Sequence, residues 1–171
     1  MGVWTLALAL VAGLAVLGWT WRHPTAFPEA GGWGVGSHQR PVGAPFYVGM
    51  TSENHDARGT VTIHSARAHV VRDSAAAEIE FFVCTVDPSS GVGSIGAVPE
   101  SEIHHECSAL VPAEGAKMRL NATPRQQVVM AVSLSHTGRV KVEGLDLDYS
   151  HGWQHGTQRT GGEVDLGSRQ R

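Results

Sequence analysis

The chain has 171 residues, 42% hydrophobic and 17% charged, with a formal net charge of −3 at pH 7. That length holds one domain of ordinary size plus an accessory segment. With no basic run, nucleic acid is not an expected partner.

The first 21 residues, MGVWTLALALVAGLAVLGWTW, contain no charged side chain, and Arg22 and His23 follow at once. A secretory signal has a basic n-region, an apolar core of roughly 7–15 residues and a small-residue cleavage site. Here no Lys or Arg precedes the run and no A-x-A site follows it. The 20 residues from Gly2 to Trp21 match the roughly 20 that a helix needs to cross about 30 Å of hydrocarbon. Trp4 and Trp19/Trp21 stand near the two ends, at the level where amphipathic indoles prefer to sit. The expectation is a transmembrane anchor over 1–21, with a cleaved signal peptide as the alternative, and the lipid bilayer as a partner. The positive-inside rule, read on Arg22 and Arg40, puts the following domain in the cytoplasm. The cysteines argue the other way.

Residues 22–45 contain four Pro and five Gly. Proline denies helix and glycine weakens any regular element. A semi-extended, flexible stalk is expected here, with Trp33 docked on the domain, resting on the membrane surface or simply exposed.

From Phe46 on, the period is two. Val61 and Ile63 alternate with Thr60, Thr62 and His64. Ile79, Phe81 and Val83 line one face of a strand whose other face ends in Phe82, Cys84 and Val86. Val128, Met130, Val132 and Leu134 alternate with Gln127, Val129, Ala131 and Ser133. Such alternation indicates half-buried strands. Turn signals at 87–91, 112–115, 121–124 and 136–138 punctuate them. The fold class is therefore all-β: an Ig-like antiparallel β-sandwich of seven or eight strands over 46–166, behind one transmembrane helix. No soluble helix is expected, and 167–171 reads as a disordered tail. In RVKVEGLDLDY (139–149), Val140 and Val142 share a parity that Leu145, Leu147 and Tyr149 oppose. A glycine where parity slips signals a β-bulge; two strands joined at Gly144 are the alternative.

The two cysteines, Cys84 and Cys107, form an even set in a chain that looks exported, which favours a disulfide. The loop closed would be about 23 residues long, stabilising by about 3 kcal/mol in the chain-entropy account. Two buried thiols in a cytosolic domain are the alternative. The disulfide implies an extracytoplasmic domain at the cell membrane.

Metal chemistry has two places to look. His104-His105-Glu106-Cys107 invites comparison with cupredoxins, but a blue-copper loop needs a second His after the Cys, and none occurs before Met118. Asp146, Asp148, His151 and His155 are the candidate zinc or calcium ligands; the plainer reading makes the two aspartates a solvated strand face. No cofactor is expected. Gly91–Gly96 is neither G-x-S-x-G nor a dinucleotide fingerprint, so no catalytic constellation is found. Protonating all ten histidines would move the net charge from −3 to +7, a pH-sensing idea whose plainer counterpart is compositional bias. Asn121-Ala122-Thr123 matches a glycosylation sequon, with Pro124 directly after it.

The tail GRVKVEGLDLDYSHGWQHGTQRTGG resembles the C-terminal part of uncharacterised membrane-anchored proteins of high-GC Gram-positive bacteria. The shared residues are Gly138–Val142, Gly144, Tyr149, Gly152, Trp153, Gly156–Gln158 and Gly161. The resemblance implies a helix, a stalk and a Cys-containing β-domain, and no activity. Read physically, the glycines punctuate a loop around Trp153 that displays Trp153, Gln154, Thr157, Gln158 and Arg159 as an interaction surface. Glu163–Leu166 reads as a last edge strand. The expected function is a protein-binding or accessory module that contacts another envelope or membrane protein; the alternative is an envelope solute- or metal-binding protein using the His/Asp loops.

Overall fold

A computed structural model describes residues 2–168, with side-chain surroundings from residue 10 onward. Helix α1 (Gly2–Arg22) leads into two five-stranded sheets. Sheet A is built from β1 (Gly34–Arg40), β3 (Gly59–Asp73), β7 (Lys117–Leu120), β9 (Arg139–His151) and β10 (Gln154–Ser168), in the order β1-β10-β9-β3-β7. Sheet B is built from β2 (Phe46–Gly49), β4 (Ala77–Val86), β5 (Ala97–Pro99), β6 (Cys107–Pro112) and β8 (Gln126–Leu134), in the order β5-β2-β8-β4-β6. A second helix, α2 (Glu100–Glu106), lies between β5 and β6. Among the residues whose side chains are described, no helix is long and apolar enough to cross a membrane; for α1 those begin at Leu10.

The two-sheet, β-rich architecture agrees with the sandwich expected, with ten strands among the described residues instead of seven or eight. The extra ones are short or glycine-rich, and no side-chain alternation announces them. The main core fills the space between the sheets, with Ile63, Met130, Leu145, Leu147, Tyr149 and Leu166 among its fully buried side chains.

β9 runs unbroken through Gly144, which takes φ +79° and reverses the parity between Val142 and Leu145. The partner strand carries the matching irregularity: Thr160 faces Leu145 and Glu163 faces Glu143, so Gly161 and Gly162 together oppose Gly144. Only glycine fits there, because a β-carbon on residue 144 would lie 2.6 Å from the Thr160 carbonyl oxygen. The bulge keeps Val140, Val142, Leu145, Leu147 and Tyr149 all on the core.

Three expectations are corrected. First, the segment read as a free stalk is part of the domain. Ala26 and Phe27 are each 1% exposed within the main core. Residues 34–40 are β1, the parallel partner of β10, and Trp33 lies on Gly162. Prolines 24 and 28 exclude helix but not docking, and a Gly-rich edge strand binds through its main chain rather than its side chains. Second, residues 163–166 belong to the interior of the long strand β10, because β1 covers its outer side. Gly167 and Ser168 also lie in β10, and the Ser168 amide donates to the Gly138 carbonyl (2.9 Å); the remainder of the tail, 169–171, lies outside the described residues. Third, α2 is a soluble helix. Its ESEIHHE sequence buries only Ile103, too little for a 3.6-residue period to show.

α2 also explains why β8 is buried on both faces. Val128, Met130, Val132 and Leu134 join the main core. Val129 and Ala131 face a second, smaller core with Tyr47, Val98 and Ile103. The disulfide Cys84–Cys107 joins β4 to the start of β6, with Cα atoms 5.5 Å apart, inside this second core.

Candidate functional site

The end of the sandwich that receives α1 holds the densest set of long-range polar contacts. Tyr149 is fully buried near the end of β9. Its hydroxyl accepts the Ala26 amide (3.0 Å) and donates to Gln158 Oε1 (2.6 Å); Gln158 Nε2 in turn donates to the Phe27 carbonyl (2.5 Å). The Phe27 ring meets Tyr149 edge-on at 5.3 Å. From the other side, Asn54 Nδ2 donates to the carbonyls of Thr25 (2.6 Å) and Phe27 (3.0 Å), and the Asn54 amide donates to the Ala26 carbonyl (3.1 Å). Burial pushes the Tyr149 phenol up to about 12, because the ionised form cannot be solvated there. Four residues past α1, the chain is thus clamped by three side chains from β9, β10 and the loop before β3.

The β9–β10 hairpin completes this end. His151 pairs with Gln154, leaving the two-residue turn Gly152-Trp153, with Gly152 at φ +59°. Glycine at the first central position suits this kind of hairpin. Gln154 Nε2 donates to the Thr20 carbonyl in the last turn of α1 (3.0 Å). At Gly156 a β-carbon would collide with the Arg22 carbonyl oxygen, so the helix end rests directly on β10. His151 Nε2 donates to the Arg58 carbonyl (2.6 Å). Trp153 is 59% exposed at the tip.

The glycines expected to punctuate a loop thus sit in a tight turn and a continuous strand, and the five residues of the anticipated surface separate. Trp153 and Thr157 are exposed. Gln154 is spent on Thr20 and Gln158 on Tyr149 and Phe27. Arg159 makes a two-pronged pair with Asp146, at 2.8 and 3.1 Å.

The candidate metal ligands separate as well. Asp146 is held by Arg159, which keeps its carboxyl below the usual range. Asp148 lies between Ser65 and Thr157 in the ladder. His151 is turned to Arg58, and His155 Nδ1 lies 3.2 Å from Ser150 Oγ. Among the described residues no three His, Cys, Asp or Glu side chains converge. Strand alternation turns His151 to the face opposite Asp146, Asp148 and His155, and Asp146 is taken by Arg159.

The outer face of sheet A instead forms a polar ladder. At the end nearest α1, His64 Nε2 lies 2.6 Å from Ser150 Oγ, and His155 stands on the other side with the two imidazoles 5.0 Å apart. Further along come Asp146–Arg159, then Lys141 bridging Glu143 and Glu163 at 3.0 Å each, then Arg139–Asp165. The Arg139 hydrogen bonds hold the Asp165 carboxyl low, and those that Lys141 donates to Glu143 and Glu163 raise the Lys141 amine. The Ser150–imidazole contact resembles a nucleophile–base pair. It lies on the open outer face of the sheet, with the second imidazole, His155, 3.2 Å from the same hydroxyl.

No family model matches this chain, and neither a curated protein nor a solved structure matches it.

Two cavities open along sheet B and its loops. One, of about 330 Å³, is lined by Trp33, Thr51, Ile95 and Arg125, with Gln127 holding both backbone groups of Ile95 (2.8 and 3.3 Å). The other, of about 380 Å³, is lined by Glu53, Asn121 and Arg125. Asn121, the sequon residue, donates its amide to the carbonyls of Asn54 (3.0 Å) and Ala57 (2.7 Å). The sequence singled out Trp153 but gave no sign of Asn54 as a clamp. In the sequence Gln158 looks displayed, because nothing in the local pattern announces that 24–30 lies across it.

Proposed function

We propose that this chain is a single-pass, membrane-anchored, extracytoplasmic β-sandwich module, an accessory or protein-binding subunit of an envelope or membrane complex. The observation that carries the reading is the clamped junction. Residues 25–27, just after α1, are held by Tyr149, Gln158 and Asn54, and the last turn of α1 meets Gln154 and Gly156, so the helix reaches the sandwich with no free linker. The contacts to Thr20 and Arg22, which belong to the helix itself, give an anchored module a fixed orientation. The charge-free run Gly2–Trp21 is long enough for a bilayer. Its tryptophans at both ends support the anchor. The Cys84–Cys107 disulfide supports an oxidising compartment for the sandwich, against the one or two positive charges that argue for the cytoplasm. A partner protein would meet the charged outer face of sheet A.

Sidedness tests the reading directly. Intact cells are treated with an impermeant maleimide, with and without an impermeant reductant. Labelling on intact cells only after reduction supports the proposal. Labelling that needs lysis but no reductant places free thiols in the cytosol and overturns it. Release of the chain from membranes by carbonate, at a mass lacking the first 21 residues or so, overturns the anchor.

A further inference from the structure

We infer that the Gly152-Trp153 hairpin tip is a membrane-contact element: with α1 in a bilayer, the Trp153 indole enters the headgroup layer beside Trp19 and Trp21 and sets the tilt of the sandwich on the membrane. This rests on the anchored reading above and adds a second point of lipid contact to it.

Position is the first support. The Gln154 amide is bonded to the Thr20 carbonyl, and Gly156 lies against the Arg22 carbonyl. The hairpin tip therefore projects at the level of the last turn of α1, the turn that carries Trp19 and Trp21 (66% and 44% exposed). In a spanning helix that turn lies in the interface, where indoles collect. Contrast is the second support. Trp33 has a seat prepared for it, since a β-carbon at Gly162 would strike its ring. Trp153 is held out at the tip of a two-residue turn and is 59% exposed against 39% for Trp33. An indole combines a large apolar face with one N–H donor, which matches a layer that is part hydrocarbon and part wet. Arg22 ends α1 and lies over the Trp21 ring at 5.3 Å, and Arg58 and Asp56 line the cavity beside Gln154. The Arg22 guanidinium suits phosphate headgroups. With a contact at the tip as well as the helix, the joined helix and sandwich are held at two points and their tilt in the bilayer is set.

The test uses the full chain, with α1, reconstituted into phosphatidylcholine vesicles whose acyl chains are brominated near the headgroup. The fluorescence difference between the wild-type chain and Trp153→Phe isolates Trp153, with circular dichroism checking that the sandwich is unchanged. The expected result is that this component is quenched by the brominated lipid and sheltered from external iodide, and that Trp153→Phe loses it. If the component stays open to iodide and unquenched while the helix tryptophans are quenched, the anchor stands and the hairpin contact is overturned, leaving Trp153 to a protein partner or to water. If no tryptophan is quenched, the anchor and the contact both fail.

Discussion

Sheet A turns a charged ladder to solvent on the face away from the core, whereas sheet B buries both faces of its strands β2 and β8. The difference traces to their central strands. β9 alternates core residues with Lys141, Glu143, Asp146 and Asp148 and needs no cover on its outer side. β8 carries Val129 and Ala131 on the side away from sheet A, so something must shield them. The chain supplies α2, the loop around Ile95 and a disulfide. An outward apolar face thus commits a fold to a lid, and a lid of one short helix needs a covalent staple.

Four experiments probe that contrast. The largest loss is expected for Ile103→Ala, since Ile103 is the only side chain of α2 in the second core. Truncating a fully buried isoleucine costs about 2–5 kcal/mol. Hydrogen exchange should rise in α2 and β6 far more than in sheet A, and an equal rise in both would show that the two cores are a single unit. Replacing Cys84 and Cys107 together by serine should lower stability by about 3 kcal/mol in a denaturant titration. A reductant should weaken the wild-type chain similarly and leave the variant unaffected.

Tyr149→Phe comes next. It strands the Ala26 amide and Gln158 Oε1, at about 1–3 kcal/mol. It also removes a pH dependence. The native phenol is raised to about 12, so the unfolded chain ionises first, near pH 10, and the wild type loses stability as pH rises from there through 12, by about 2–3 kcal/mol. A variant that kept this slope would assign it to another group. The smallest effect belongs to the outer ladder: Asp146→Asn should shift the unfolding midpoint barely measurably, and the shift should fade in added salt. What remains of the Asp146 contribution is present above the ordinary carboxylate range and is lost as pH falls through its lowered value.

Much of the sandwich was legible because strand burial writes itself as a period of two. The runs around Ile63, Val83 and Met130 and the parity slip at Gly144 all carry the pattern that burial demands. The disulfide was legible from cysteine count alone. What escaped were elements held by main-chain bonds or by a single contact. β1 pairs through its backbone with almost no apolar side chains, and α2 contributes one buried residue. The candidate site was legible only in part. Trp153 stood out as a lone aromatic among glycines, while Gln158 and Asn54 act on 24–30, a segment more than 20 residues distant from either.

By itself the sequence determined the β-rich class, the bulge at Gly144, the cysteine pair and the charge-free N-terminal run, because each is a local pattern or a count. Tertiary structure alone decided that the Gly/Pro segment is bound rather than free, that the four His/Asp candidates never meet, and that the Trp153 tip stands beside the end of α1. Those depend on which distant strands become neighbours, a consequence of how the whole chain packs that no window of residues contains.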